Sequence, residues 1–174
     1  EEQYYIFFPL LMMLIWRRQA VAILATLLIA SLIFAEQSLE VDSRGVFFLL
    51  PARAWELLIG ALAACYLRKT GQPPFGRAAS EALAATGLAL IAFAILTYDE
   101  STRFPGIGAL PPTLGTVMVI LFTRNGGLVH RGLSLKPLIW IGLRSYGTYL
   151  WHQPVFALFQ HGFGSLAFED YVWL

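Results

Sequence analysis

Two charged residues stand inside an apolar segment of the chain. The segment FFLLPARAWELLIGALAACYL, residues 47–67, contains Arg53 and Glu56. An ionisable group at the centre of a bilayer costs at least about 2.5–3.5 kcal/mol, and so it needs a partner or a water-filled cavity. The i, i+3 spacing places both side chains on one face of a helix, where they can pair. This pair is either a structural link between helices or part of a functional cavity, and both interpretations stay open.

A second group of polar residues lies in the stretch SYGTYLWHQPV, residues 145–155. Ser145, Tyr149 and His152 are spaced i, i+4, i+7 and form one helical stripe, which predicts contact with protein or water rather than lipid. At 1.5 Å per residue, His152 is about 12 Å and Tyr149 about 17 Å from the outer surface, which brackets Glu56 at about 14 Å. The alternatives are a hydrogen-bonded interior histidine and a tyrosine that bonds between helices. No pair of histidines or cysteines has metal-ligand spacing, so the sequence predicts no metal site.

The elements that carry these residues are predicted to be membrane-spanning helices. Of the 174 residues, 57% are hydrophobic and 13% are charged, against roughly 25% charged in an ordinary soluble domain. The net charge of +1 gives no indication of a nucleic-acid partner. Six apolar segments predict an all-α transmembrane bundle. They are approximately 4–16, 20–35, 47–67, 80–98, 107–123 and 137–160.

The connectors predict the orientation of these spans, because Lys and Arg are retained on the cytoplasmic side. Connectors one, three and five contain most of the 12 basic residues, and most of the 11 acidic residues lie on the opposite side. Both ends of the chain are therefore predicted outside the cytoplasm. The first segment is only about 20 Å long against a hydrocarbon core of about 30 Å, which predicts that the natural chain begins upstream.

Four blocks of sequence occur in a characteristic order. They are EEQYYIFFPLL at 1–11, LLPARAWELLIGALAA at 49–64, GALPPTLGTVMVIL at 108–121 and PLIWIGLRSYGTYLWHQPV at 137–155. Together they resemble the acyltransferase 3 family, bacterial integral-membrane O-acyltransferases that modify lipopolysaccharide, peptidoglycan and other surface glycans. The resemblance implies that residues 1–174 are part of a membrane acyltransferase domain of about ten spans, in which this chain holds spans four to nine.

The resemblance also implies a reaction across the bacterial inner (plasma) membrane. An acyl group, usually acetyl, is expected to come from cytoplasmic acyl-coenzyme A, with no bound cofactor. It is expected to pass to a hydroxyl of an extracytoplasmic glycan such as lipopolysaccharide, peptidoglycan or exopolysaccharide, or to a lipid-linked sugar. The competing hypothesis is a transporter or a flippase of lipid-linked sugars, in which the polar residues would line a translocation path. A third is a non-catalytic helical scaffold.

Six residues match positions in the family's motifs and are expected to share one polar cavity. They are Glu1, Glu2, Arg53, Glu56, Tyr149 and His152. Arg53 is expected to position substrate or stabilise charge, supported by Glu56 or by the first two glutamates, while Tyr149 and His152 supply hydrogen-bonding lining. The family's proposed catalytic histidine lies in a first span that this chain does not match. His152 is therefore not expected to replace it, and the chain alone is expected to be inactive.

Overall fold

A computed structural model describes residues 2–14, 19–39, 49–71, 73–99, 102 and 104–163. Helices dominate these ranges, and no strand occurs within them. The helices are α1 (Glu2–Leu14), α2 (Ala20–Leu39), α3 (Leu50–Thr70), α4 (Arg77–Thr97), a 3₁₀ turn (Ile107–Ala109), α5 (Leu110–Phe122), α6 (Leu128–Leu133) and α7 (Lys136–Phe163). The chain divides into two compact units, Glu1–Val129 and His130–Leu174, which are described separately below.

Three of the described helices are long and apolar enough to cross a membrane. They are α2, α3 and α4, with 20, 21 and 21 residues. At 1.5 Å per residue, each reaches about 30 Å, the thickness of a hydrocarbon core. Residues 107–122 form a shorter apolar helix. The all-α transmembrane architecture is therefore confirmed at this level, while the six spans of the chain and the ten spans of the domain stay predictions.

Proline and glycine set the helix ends where the sequence places them. Pro51 lies in the first turn of α3, and Pro111 lies in the first turn of α5. Backbone N–H groups in a first turn have no acceptor within the helix, so proline breaks no helical hydrogen bond there. Gly71 ends α3 with a φ of +69°, a conformation that favours glycine, and its N–H donates to the carbonyl of Leu67 at 2.8 Å.

Helices α4 and α5 cross with their backbones in close contact. A Cβ atom at Gly87 would lie 2.6 Å from the carbonyl oxygen of Gly115, and one at Gly115 would lie 2.6 Å from the carbonyl oxygen of Gly87. The buried face of α4 consists of small residues: Ser80, Ala84, Gly87 and Ala94. Small residues let helices approach closely, which is how transmembrane helices gain van der Waals contact without a hydrophobic driving force.

Polar side chains join two of the three predicted cytoplasmic connectors, the third (residues 68–77) and the fifth (residues 124–136). Arg77 donates to the carbonyl of Gly126 at 3.0 Å. Arg124 donates to the carbonyls of Pro73 and Phe75 at 2.9 and 2.6 Å. These bonds link residues about 50 positions apart in the sequence.

The short helix α6 lies inside a connector that the sequence predicts only as a loop. A carboxylate oxygen of Glu81 accepts the N–H groups of Leu128 and Val129, at 2.9 and 3.2 Å. Since the first N–H groups of a helix have no partner within it, an anionic side chain from α4 satisfies them and complements the helix dipole.

Candidate functional site

The predicted ion pair on α3 forms. The guanidinium Nη2 of Arg53 lies 3.6 Å from Oε2 of Glu56, and the two side chains are 39% and 22% exposed. The i, i+3 spacing accounts for this contact, because one helical turn brings the side chains together. Pairing lowers the cost of keeping the two charges in a mostly apolar helix.

The face of α3 that carries Trp55 is fixed by hydrogen bonds to α2 and to Pro105. Trp55 is fully buried, and its indole N–H donates to the carbonyl of Pro105 at 2.9 Å. The hydroxyl of Ser31 donates to the carbonyl of Pro51 at 2.6 Å and accepts the backbone N–H of Trp55 at 2.9 Å. One hydroxyl therefore bonds to two residues of α3 that are four positions apart, which ties the N-terminal part of α3 to α2.

These contacts determine which way the ion pair faces. At 3.6 residues per turn, Arg53 lies about 160° around α3 from Trp55, and Glu56 lies about 100° from it. Ala52 and Trp55 pack in a core with Ala35 of α2. Arg53 therefore faces away from this core, whereas Glu56, about 40° around the helix from Ala52, lies at its flank. The fixed indole thus sets the rotation of α3 and with it the side of the helix on which Arg53 lies.

The carboxylate of Glu36 binds the segment whose carbonyl group accepts the indole N–H of Trp55. Oε2 of Glu36, near the end of α2, accepts the N–H of Ile107 at 2.9 Å, at the start of the 3₁₀ turn. A Cβ atom at Gly106 would lie 2.4 Å from the same oxygen, so glycine permits this approach. Trp55 and Glu36 together place residues 105–107 against α2 and α3.

An apolar cleft of about 720 Å³ lies between α1, α2 and α3. Its walls include Phe7 and Leu11 of α1, Phe34 of α2, and Ala54 and Leu58 of α3. Among the described residues, neither member of the ion pair lines this cleft. The charged face and the cleft are therefore different surfaces of the same helix.

The polar stripe on α7 brings two of its predicted members together. The rings of Tyr149 and His152 have centroids 5.4 Å apart, and the ring of Phe156 follows at 6.3 Å from His152 in an edge-to-face arrangement. Nδ1 of His152 bonds to the backbone carbonyl of Tyr149. The third member, Ser145, donates to the carbonyl of Gly142 in its own helix at 2.8 Å.

Arg144 lies against its own helix in this structure. Its guanidinium carbon is 4.2 Å from the centre of the Trp140 ring, and Nη1 donates to the Trp140 carbonyl at 3.4 Å. A cation over an indole face is an attractive arrangement.

The expectation that six residues share one polar cavity stays a prediction. Arg53 and Glu56 belong to the first unit, whereas Tyr149 and His152 belong to the second. Glu1 and the side chain of Glu2 lie outside the described residues. The residues that the structure describes contain no group of three His, Cys, Asp or Glu side chains able to hold a metal ion.

Sequence reasoning missed the residues that orient the charged face, namely Ser31, Glu36 and Pro105. Ser31 did carry a signal, because a polar residue within an apolar span commonly hydrogen-bonds to a neighbouring helix. Nothing in the local sequence shows which helix that is.

Comparison with known proteins gives a family match over the whole chain. The model of a family described as "Acyltransferase domain" matches residues 1–174. The "Peptidoglycan O-acetyltransferase OatA" of Listeria monocytogenes is 30% identical over 171 residues, which are 91% of this chain and 28% of that protein. The "O-acetyltransferase OatA" of Staphylococcus aureus is 29% identical over 172 residues, covering 89% of this chain and 28% of that protein. This chain thus spans less than a third of the length of these curated relatives. No solved structure matches it.

Proposed function

Because this chain belongs to the acyltransferase family whose domain model matches it from end to end, we propose that it forms part of a membrane O-acetyltransferase of cell-wall glycans. The acceptor we propose is a hydroxyl of peptidoglycan, and the donor is acetyl-coenzyme A supplied from the cytoplasm. The observation that carries the proposal is the family match together with 30% identity to a protein named as a peptidoglycan O-acetyltransferase.

The charged face of α3 has the chemistry that acyl transfer requires. Overall, the carbon–sulfur bond of the thioester breaks, a carbon–oxygen bond to the glycan forms, the hydroxyl proton leaves to a base, and coenzyme A departs as a thiolate that takes up a proton to become the free thiol. Negative charge develops on the acyl oxygen, and fixed hydrogen-bond donors stabilise it. The guanidinium of Arg53 offers such donors, and Glu56 at 3.6 Å restricts its position. The base, by resemblance to the family, is expected on a histidine outside this chain.

Acetyl transfer by the complete gene product tests this proposal. The protein is reconstituted in vesicles, radiolabelled acetyl-coenzyme A is supplied on one side, and peptidoglycan oligosaccharides are supplied on the other. Label is expected in the glycan as an alkali-labile ester. Parallel reactions with lipopolysaccharide test the other acceptor class.

Two results would overturn the proposal. One is that neither glycan becomes labelled although the protein is folded and inserted in the membrane. The other is movement of a lipid-linked sugar across the bilayer without acetylation, which would favour a flippase.

A further inference from the structure

A small cavity of about 350 Å³ lies near the C-terminal end of α2, between this helix and the 3₁₀ turn. Its walls are formed by Leu32, Ile33, Glu36, Gln37 and Ile107. The four residues of α2 stand at i, i+1, i+4 and i+5, so they share one face of the helix. A volume of this size is at the small end of ligand sites, which suits a single ring rather than an extended chain.

Hydrogen bonds from two helices fix the wall of this cavity that lies opposite α2. Oε2 of Glu36 accepts the N–H of Ile107 at 2.9 Å, and the carbonyl of Pro105 accepts the indole N–H of Trp55 at 2.9 Å. The segment that carries Ile107 is therefore held by α2 and also by α3, the helix that carries Arg53. The cavity is a product of tertiary contacts between separate parts of the chain.

The side chains of the cavity match a neutral ligand that bears hydroxyl groups. Within the described residues, no further hydrogen bond uses the second carboxylate oxygen of Glu36 or the side-chain amide of Gln37. An ionised carboxylate only accepts, an amide donates and accepts, and sugar hydroxyls can satisfy both. The aliphatic side chains of Leu32, Ile33 and Ile107 offer an apolar surface to the C–H face of a sugar ring. A phosphate would meet like charge at Glu36, which disfavours it.

We propose that this cavity binds one sugar residue of the glycan acceptor, as a subsite on the predicted outer side of the membrane. The charges of the connectors predict that the C-terminal end of α2 lies outside the cytoplasm, where the proposed function places the acceptor. The inference rests on that function, and it uses residues that lie outside the four motif blocks. Glu36 and Gln37 bind hydroxyls of the sugar and take no part in the transfer of the acetyl group.

Two isoleucines on α2 provide a matched test of the cavity. Ile33 lines it and is 52% exposed, whereas Ile29, one turn earlier, is 57% exposed and is not among the described residues that line it. In the complete gene product, Ile33→Ala and Gln37→Ala are expected to weaken binding of a peptidoglycan oligosaccharide at least about threefold. Ile29→Ala should leave the affinity unchanged. Isothermal titration calorimetry without acetyl-coenzyme A measures this affinity independently of catalysis.

Glu36→Gln separates ligand binding from the structural bond of this side chain. Its amide oxygen can still accept the N–H of Ile107, but a donor replaces the second acceptor oxygen. We expect about tenfold weaker binding of the oligosaccharide with an unchanged thermal midpoint. In acetyl transfer, KM for the oligosaccharide should rise by the same factor, while kcat and KM for acetyl-coenzyme A change by less than about twofold.

Oligosaccharide affinities in the three cavity variants equal to that of Ile29→Ala would overturn the inference. A zwitterionic phospholipid that native mass spectrometry detects on the wild type and not on Gln37→Ala, with equal sugar affinities, would also overturn it, since the cavity would then hold a lipid headgroup. If the wild type transfers acetyl groups and the variants bind the sugar normally, only the subsite falls. Variant-sensitive sugar binding without transfer overturns the proposed function but supports the sugar-binding cavity. Neither binding nor transfer by the wild type would overturn both.

Discussion

Replacing Trp55 by phenylalanine tests whether a buried hydrogen bond fixes the N-terminal part of α3. The indole is fully buried and its N–H lies 2.9 Å from the carbonyl oxygen of Pro105, which is itself fully buried. Phenylalanine keeps an aromatic ring but removes the donor, and a buried acceptor that loses its partner costs about 1–3 kcal/mol. The smaller ring also leaves a void, so we expect a total loss of about 2–4 kcal/mol in the free energy of unfolding.

Unfolding in mixed detergent and sodium dodecyl sulfate micelles, followed by circular dichroism, measures this loss. Trp151→Phe makes the same chemical change at a side chain that is 67% exposed, and it should alter the free energy of unfolding by no more than about 0.5 kcal/mol. Since Arg53 and Glu56 lie within one turn of Trp55, acetyl transfer per folded molecule should fall in Trp55→Phe and not in Trp151→Phe. Equal stability of the two variants would refute the role assigned to the indole bond.

Three further features of the first unit can be probed by substitution: the close approach of α4 and α5, the ion pair of α3, and the carboxylate at the start of α6. Gly115→Ala should lower the thermal midpoint in detergent, because its Cβ would meet a backbone oxygen at 2.6 Å, whereas Gly60→Ala, with open space around it, should leave the midpoint unchanged or raise it. Arg53→Ala should lower acetyl transfer at least about tenfold. Exchanging Arg53 and Glu56 should keep the ion pair and the protein level but not the activity, so full activity in the exchanged protein would contradict the positional role. Glu81→Ala removes the acceptor of two helix N–H groups and should cost about 1 kcal/mol. Faster limited proteolysis at residues 124–133 would measure that loss, and unchanged proteolysis would contradict it.

The helices were predictable because their signals are local. Runs of apolar residues, the prolines at 51, 111 and 112, and the glycine at 71 mark spans and helix ends within a few positions of where the structure has them. The ion pair of Arg53 and Glu56 was equally predictable, since a spacing of three residues in a helix fixes the contact.

The short helix α6 was not predictable in the same way. Its six residues are too few for a recognisable apolar period, and a carboxylate from α4, 47 positions earlier in the chain, caps its first turn. The crossing of α4 and α5 likewise depends on two glycines that are 28 positions apart, from 87 to 115, and on the approach of their backbones. Contacts of this kind are properties of a pair of helices rather than of either one.

The sequence by itself determined the membrane character of the chain, the approximate positions of its long apolar helices, and the candidate residues for chemistry. The acyltransferase family, suggested by four motif blocks, is confirmed by the match over residues 1–174. Only the tertiary structure decided which polar groups serve the fold. Ser31 and Trp55 bond across 24 positions, and Trp55 reaches Pro105 across 50, so their role depends on non-local distances that no local pattern encodes. Those bonds turn Trp55 towards the core, which leaves Arg53 on the other side of α3 and Glu56 at the flank of the core. The same helix therefore carries both a structural face and a candidate functional one.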